Sequence, residues 1–456
     1  MTFARRMLLG LCLSLLGIGL SPRICVAQPA PSAPPAQSQA QPAASPSTTT
    51  AAAAVPANPQ QAYSLPKDKL AKAIALSRIR NILGLVGSLW GLAVLWLLLA
   101  TRAASGLAAW TERLVKQRWL QGLLFFAAFL IISTLASLPL DVYGQHVSRA
   151  YSISVQGWGS WLGDQGKGLG LSLLFGAPIL LLFNWIVRRW PRRYWLGLWV
   201  VTLPLLVLTI FVSPLLEPIF NKFEPLSKNN PVLVTELEKV VARTGTNIPP
   251  ERMFLMKASL KTNGLNAYVS GMGSTKRIVV WDTTAGRIPN DEVQYIFGHE
   301  SGHYVLNHIP KQLAGSAVFL FFLYWACAAF AGWLVRRFGA GWQVDALSSR
   351  AGFIALLFAI SVGGFFLTPV SNAFSRYFEH QADVYGQEAI HGIVPDPQKT
   401  AVAAFNALGE AWLEDPAPNS FIEFWTFNHP SVQHRANFAW HYDPWAKDGH
   451  GEFFQK

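Results

Sequence analysis

Apolar residues in this chain gather into six long runs, at about residues 82–100, 119–139, 168–187, 195–213, 313–335 and 351–370. Each comes close to the roughly 20 residues a helix needs to cross the hydrocarbon core of a bilayer. Unbroken hydrophobicity of that length predicts membrane spans, four before and two after a polar stretch in the middle of the chain. A shorter run from about Met7 to Leu20 follows Met-Thr-Phe-Ala-Arg-Arg and leads into small residues ending Val26-Ala27. Basic, apolar and small segments in that order are the parts of a secretory signal. Residues 1–27 are therefore expected to be a leader cleaved after Ala27, or else an uncleaved first helix. Residues 28–60 are nearly all Ala, Pro, Ser, Gln and Thr, which bury too little apolar surface to offset chain entropy, and are expected to be a disordered linker.

The polar pattern divides the rest. Residues 61–213 form an N-terminal domain with four spans, and 214–312 have the mixed polarity of a folded soluble domain. Residues 313–370 form a two-span hairpin, and 371–456 form a second soluble piece. Within 214–312 the periodicity predicts a helix over Val232–Arg243 and a strand over Met253–Met256, with Asn263-Gly264 as a turn signal before Leu265–Ser270 and a second strand over Arg277–Trp281. Pro289-Asn290-Asp291-Glu292 then opens a helix expected to run to about His308, with acids in its first turn. Gly298 and Gly302 within it leave room for close neighbours.

Composition agrees with a membrane protein: 51% of residues are hydrophobic and only 14% charged. The net charge of +12 does not point to nucleic acid, because the basic residues cluster in short groups beside the apolar runs. Arg102, Arg113, Lys116 and Arg118, then Arg188, Arg189, Arg192 and Arg193, then Arg336, Arg337 and Arg350 mark three loops as cytoplasmic. That orientation puts both soluble pieces outside, which predicts a bacterial inner-membrane protein with its polar domain on the periplasmic side. Lys67, Lys69, Lys72, Arg78 and Arg80 run against it, since they stand before the first span on the side assigned outside. Of the three cysteines, Cys12 and Cys25 fall in the leader. Cys327 is left alone, so neither a disulfide in the mature chain nor a cysteine metal site is expected.

The polar stretch carries the chemistry. Residues 299–303 read His-Glu-Ser-Gly-His. Two His four apart on a helix point the same way, so His299 and His303 can place two ring nitrogens on one Zn2+ ion. Glu300 lies a third of a turn round, near the metal but off it, where it can take a proton from a metal-activated water and return it to a leaving amine. The missing third ligand is expected in Ser375-Arg376-Tyr377-Phe378-Glu379-His380-Gln381-Ala382-Asp383, because the two-span hairpin returns the chain to the side it left. Glu379 is the candidate, and Asp383, one turn on, can accept the other ring N–H of a zinc His. His380 is a rival ligand, but it projects about 100° away from Glu379. With three protein ligands and an acid beside them, the site reads as catalytic and not structural.

These motifs closely resemble the CAAX prenyl protease family of membrane zinc metalloproteases, gluzincins with His-Glu-x-x-His and a downstream Glu-x-x-x-Asp. The matches extend to Asn266-Ala267-Tyr268, Ser375-Arg376 and His429-Pro430-Ser431 with Arg435, over roughly residues 65–440. The resemblance implies that Asn266, Ala267 and Tyr268 belong to an edge strand pairing with the substrate backbone, although Asn266 also reads as a plain turn residue. It implies an oxyanion-stabilising His429, which otherwise reads as a helix cap before Pro430, and an Arg435 paired to a carboxylate near the zinc. The expected protein is thus a multi-pass α-helical membrane protein with a gluzincin-type α+β metalloprotease domain. It would cleave peptides or membrane proteins as a CAAX-type processing enzyme or a quality-control protease. A non-catalytic zinc-containing scaffold is the reading from another class. The sequence specifies no oligomeric state.

Overall fold

The structure is a computed structural model that describes residues 62–446 and 449–454. The leader expected over 1–27 and the linker expected over 28–60 lie outside the described residues. Six helices are long and apolar enough to cross a membrane, and each contains one of the predicted runs. The first is α1 (Lys67–Ala100), followed by a twelve-residue α2 (Ala103–Leu114), α3 (Arg118–Ala150), α4 (Trp158–Arg189) and α5 (Tyr194–Phe220). The helices overrun the apolar windows because their polar ends stay helical. The stretch 140–167, between the second and third apolar runs, is mostly the continuation of α3 and the start of α4.

The central polar region builds a four-stranded sheet from β1 (Phe223–Pro225), β2 (Met253–Met256), β3 (Ala267–Ser270) and β4 (Arg277–Trp281), with α6 (Pro231–Thr244) between the first two. Asn230 accepts from Leu233 N–H and Pro231 sits in the first turn, so α6 starts where capping chemistry predicts. It stops at Gly245, whose φ of 64° is the left-handed cap conformation. The strand order is β1-β2-β4-β3, with β2 and β4 parallel and the outer pairs antiparallel. β3 is therefore an edge strand.

The motif helix α7 (Asn290–Val305) follows β4, and then come the hairpin helices α8 (His308–Trp342) and α9 (Arg350–Ala389). The tail folds into α10 (Pro397–Trp412), α11 (Ser420–Thr426) and α12 (Val432–His441). One expectation needs correction: α7 ends at Val305, not near His308. Asn307 takes φ 56°, and the left-handed residue turns the chain so that His308 opens the next helix.

Two main cores result. Phe125, Phe126, Phe183, Leu198, Leu323 and Phe353 pack the spans together, while Leu135, Leu174, Phe322 and Phe366 are exposed on their outer faces, as lipid-facing positions would be. Leu237, Val269, Val280, Val293, Phe297 and Phe405 form the core of the soluble part. The basic start of α1 is packed onto this second part and not left free. Ala73 and Leu76 are buried with Leu413, Lys69 pairs with Glu410, and Arg80 donates to the Trp412 carbonyl at 2.9 Å. Those contacts give Lys69 and Arg80, two of the five dissenting basic residues, a structural use.

Candidate active site

Helices α7 and α9 cross at glycines. A Cβ at Gly386 would lie 2.7 Å from the His299 backbone nitrogen, and one at Gly302 would lie 3.0 Å from Tyr385. With no side chain at these crossings the axes approach closely, which brings the polar turn Glu379–Asp383 of α9 against the His face of α7. Three donor atoms converge there. His299 Nε2 is 3.3 Å from His303 Nε2 and 3.3 Å from Glu379 Oε2, and His303 Nε2 is 3.7 Å from Glu379 Oε1. Donors bound tetrahedrally to one zinc at about 2.0–2.1 Å would stand roughly 3.3 Å apart, so this group has the right size and ligand chemistry. Glu379 Oε2 is buried and also 3.2 Å from His429 Nε2, yet it makes a hydrogen bond to neither ring. A buried carboxylate oxygen left in that state is what a cation site predicts. His380, the rival ligand, turns away to stack edge-on against Phe438.

The outer nitrogens of both His are held. His299 Nδ1 is 2.8 Å from Asp383 Oδ1, and Arg435 clamps the same carboxylate through Nε at 2.9 Å and Nη2 at 2.5 Å. A proton on Nδ1 leaves the Nε2 lone pair for the centre. His303 Nδ1 is 3.1 Å from Nδ1 of His308, a fully buried residue that sequence reasoning missed. Its place depends on the left-handed turn at Asn307, which no periodicity discloses.

Burial works most strongly against charge on His299, but the Asp383 and Glu379 carboxylates together outweigh it and push the pKa up to about 9. Burial takes His303 down to about 3 and His429 down to about 4, so both rings are neutral at pH 7. Burial also raises the Glu300 carboxyl above its usual range. Glu300 Oε2 faces the Val269 N–H at 3.5 Å, which sets β3 alongside the cluster.

Along β3 the pairing alternates. Asn266 spends its backbone groups on Thr284 and Trp281, and Tyr268 sends its hydroxyl to Glu217 on the far face at 2.9 Å. The backbone groups of Ala267 and Val269 then point to the outer edge, where the Val269 N–H faces Glu300 and its carbonyl accepts from the Tyr304 hydroxyl at 3.4 Å. His299, Glu300, His303, Glu379, Asp383, His429 and Arg435 thus lie around one cluster, which β3 meets at Val269, while Asn266 is tied to Thr284 and Trp281 and the Tyr268 side chain faces away.

Residues 48–222 match the family described as CAAX prenyl protease N-terminal, five membrane helices, and residues 227–442 match peptidase family M48. Four candidate spans and α2 fall within the first stretch among the described residues. The uncharacterized metalloprotease YhfN of Bacillus subtilis (strain 168) is 33% identical over 374 residues, covering 81% of this chain and 85% of that protein. CAAX prenyl protease 1 of Saccharomyces cerevisiae is 30% identical over 290 residues, 59% of this chain and 62% of that one. The crystal structure of S. mikatae Ste24p matches in fold, with TM-score 0.70 at 22% identity over 82% of this chain and 88% of the other. Fold and site together define a multi-pass membrane zinc metalloprotease. The chain belongs to the CAAX prenyl protease family, whose peptidase part is family M48. With that membership the non-catalytic scaffold reading falls away.

Proposed function

We propose that the chain is an endopeptidase in which His299, His303 and Glu379 hold one zinc ion and Glu300 is the general base. The observation that carries this reading is the convergence of two ring nitrogens and one carboxylate, with a second carboxylate beside them and outside the set. Zinc in this position supplies Lewis acidity, polarising a peptide carbonyl and lowering the pKa of water toward neutrality. Glu300 takes the proton of the attacking water and hands it to the leaving amine. A carboxyl raised by burial suits a group that must accept and donate near neutral pH. His429, with Nδ1 3.0 Å from Asn428 Oδ1 and Nε2 3.2 Å from Glu379 Oε2, would turn its Nε2 side toward the oxygen on which negative charge develops. Asp383 and Arg435 act one step back, holding His299 in the tautomer that presents Nε2.

Substrate is read as an extended strand laid on the outer edge of β3, with Ala267 and Val269 supplying backbone hydrogen bonds. The name of the Saccharomyces cerevisiae relative, CAAX prenyl protease 1, favours peptides carrying a hydrophobic anchor as the substrate class here as well. The loop charges and the bacterial relative support a place in a bacterial inner membrane with the site on the periplasmic side. The direct test is Glu300→Gln in the purified full chain. It is expected to keep its zinc and to lose casein cleavage in detergent, and turnover by that variant would overturn the mechanism. Trapping proteins on the same variant in cells then identifies the natural substrate.

A further inference from the structure

At the end of the bundle remote from the zinc cluster, where α3 begins, α4 ends and α9 begins, lies a cavity of about 480 Å³. Arg118, Arg188, Arg189 and Arg350 line it together with Trp119 and Trp185. Its volume falls within the roughly 300–1,000 Å³ of small-molecule sites. Arg350 and Glu379 sit on the same helix, and at 1.5 Å per residue they are about 40 Å apart along its axis. That distance exceeds the roughly 30 Å hydrocarbon core, so the cavity belongs at the opposite headgroup layer.

The charge there is unbalanced. Arg350 is committed to Glu112 and Gln121. Among the described residues the arginine ion pairs are those of Arg277, Arg350 and Arg435, which leaves Arg118, Arg188 and Arg189 without an acid. Three guanidinium groups gathered around one cavity repel each other unless an anion joins them, and their planar forks match phosphate oxygens. Trp119 is 57% exposed and Trp185 55% exposed, which is where indole rings sit at headgroup level. The lining also reaches Leu181, within the apolar part of α4, where an acyl chain can begin.

We propose that this cavity binds the phosphate headgroup of an anionic phospholipid, on the face of the membrane opposite the peptidase site. The chemistry recognised is phosphate, and the test separates a lipid source from a soluble one. The purified full chain is titrated in detergent with phosphatidylglycerol and, separately, with inorganic phosphate, and binding is read by native mass spectrometry. Phosphatidylglycerol is expected to saturate one site at concentrations where inorganic phosphate leaves it empty. Removing two charges with Arg118→Gln and Arg188→Gln should weaken lipid binding by ~30-fold at about a factor of five per arginine. Zinc content and casein cleavage should be unchanged. Should the double variant not purify, Arg188→Gln alone at its exposed helix end should show the ~5-fold loss. Arg336→Gln with Arg337→Gln removes equal charge from the same face without touching the cavity, and should change affinity little. Equal loss in that control, undiminished binding in the cavity variants, or inorganic phosphate binding as tightly as the lipid would each overturn the proposal.

Discussion

Asp383→Asn separates the two duties given to Asp383. The residue is 1% exposed and takes His299 Nδ1 at 2.8 Å on one oxygen while both oxygens engage Arg435. Asparagine keeps the shape but removes the charge and turns one acceptor into a donor. Loss of such an orienting partner typically weakens a metal site about 10–100-fold, which is roughly 1.4–2.7 kcal/mol. The Arg435 guanidinium is also left buried without its counter-ion, a loss of about 3–5 kcal/mol in stability. The double variant Asp383→Asn with Arg435→Met removes the stranded charge, so it should melt higher than Asp383→Asn alone. It should bind zinc no better, because a neutral amide still does not supply the carboxylate charge that raises the basicity of His299. Zinc occupancy of the purified protein against buffers of fixed free zinc, read by elemental mass spectrometry, measures the first effect. Thermal unfolding in detergent measures the second. Zinc affinity of wild-type strength in Asp383→Asn would refute the orienting role. A double variant less stable than Asp383→Asn would refute the charge-pairing argument.

Removing the second orienting partner with His308→Ala should lower zinc affinity by about tenfold, and an unchanged occupancy curve would reduce His308 to packing. Gly386→Ala puts a methyl 2.7 Å from the His299 nitrogen, so α9 must shift. A stability loss of about 1–3 kcal/mol and a larger fall in peptidase rate are expected, and a fully active variant would show that the crossing tolerates slack. Burial, helped by Asp291, raises Glu292 to about 7. A carboxyl with its folded pKa raised contributes stability that is complete below about pH 4.5 and lost as pH rises through 7. Glu292→Gln should flatten the fall in melting temperature between pH 5 and 8, a difference of at most about 3 kcal/mol. An unaltered pH profile would locate the sensitivity elsewhere.

What could be read from the sequence was whatever chemistry sets locally. His299 and His303 share a face because four residues make about one turn, and the spans are legible because lipid tolerates few polar side chains over that length. Strands β2 and β4 begin and end where their β-branched and apolar runs do. Pairings made only by the tertiary fold were hidden. β1 is three residues long and contains Pro225, so it carries no strand signal of its own and exists because β2 offers an edge. The start of α1 reads as a topology signal that contradicts the others until Lys69 is seen against Glu410 from the far end of the chain. His308 looks like the last turn of the motif helix, and only the turn at Asn307 places it behind His303. Glu379 and Asp383 were accessible for a different reason: the hairpin spans obliged the chain to come back.

A strand edge recognises a neighbour by the spacing of its amides, and Ala267 and Val269 offer little else. A segment locked in a helix, or already paired in its own sheet, has no amides to spare and passes unrecognised whatever its side chains. With substrate laid on β3 as proposed, admission would be a test of conformation before it is a test of sequence, and the commitment of a protein to its own fold would become its protection from this enzyme.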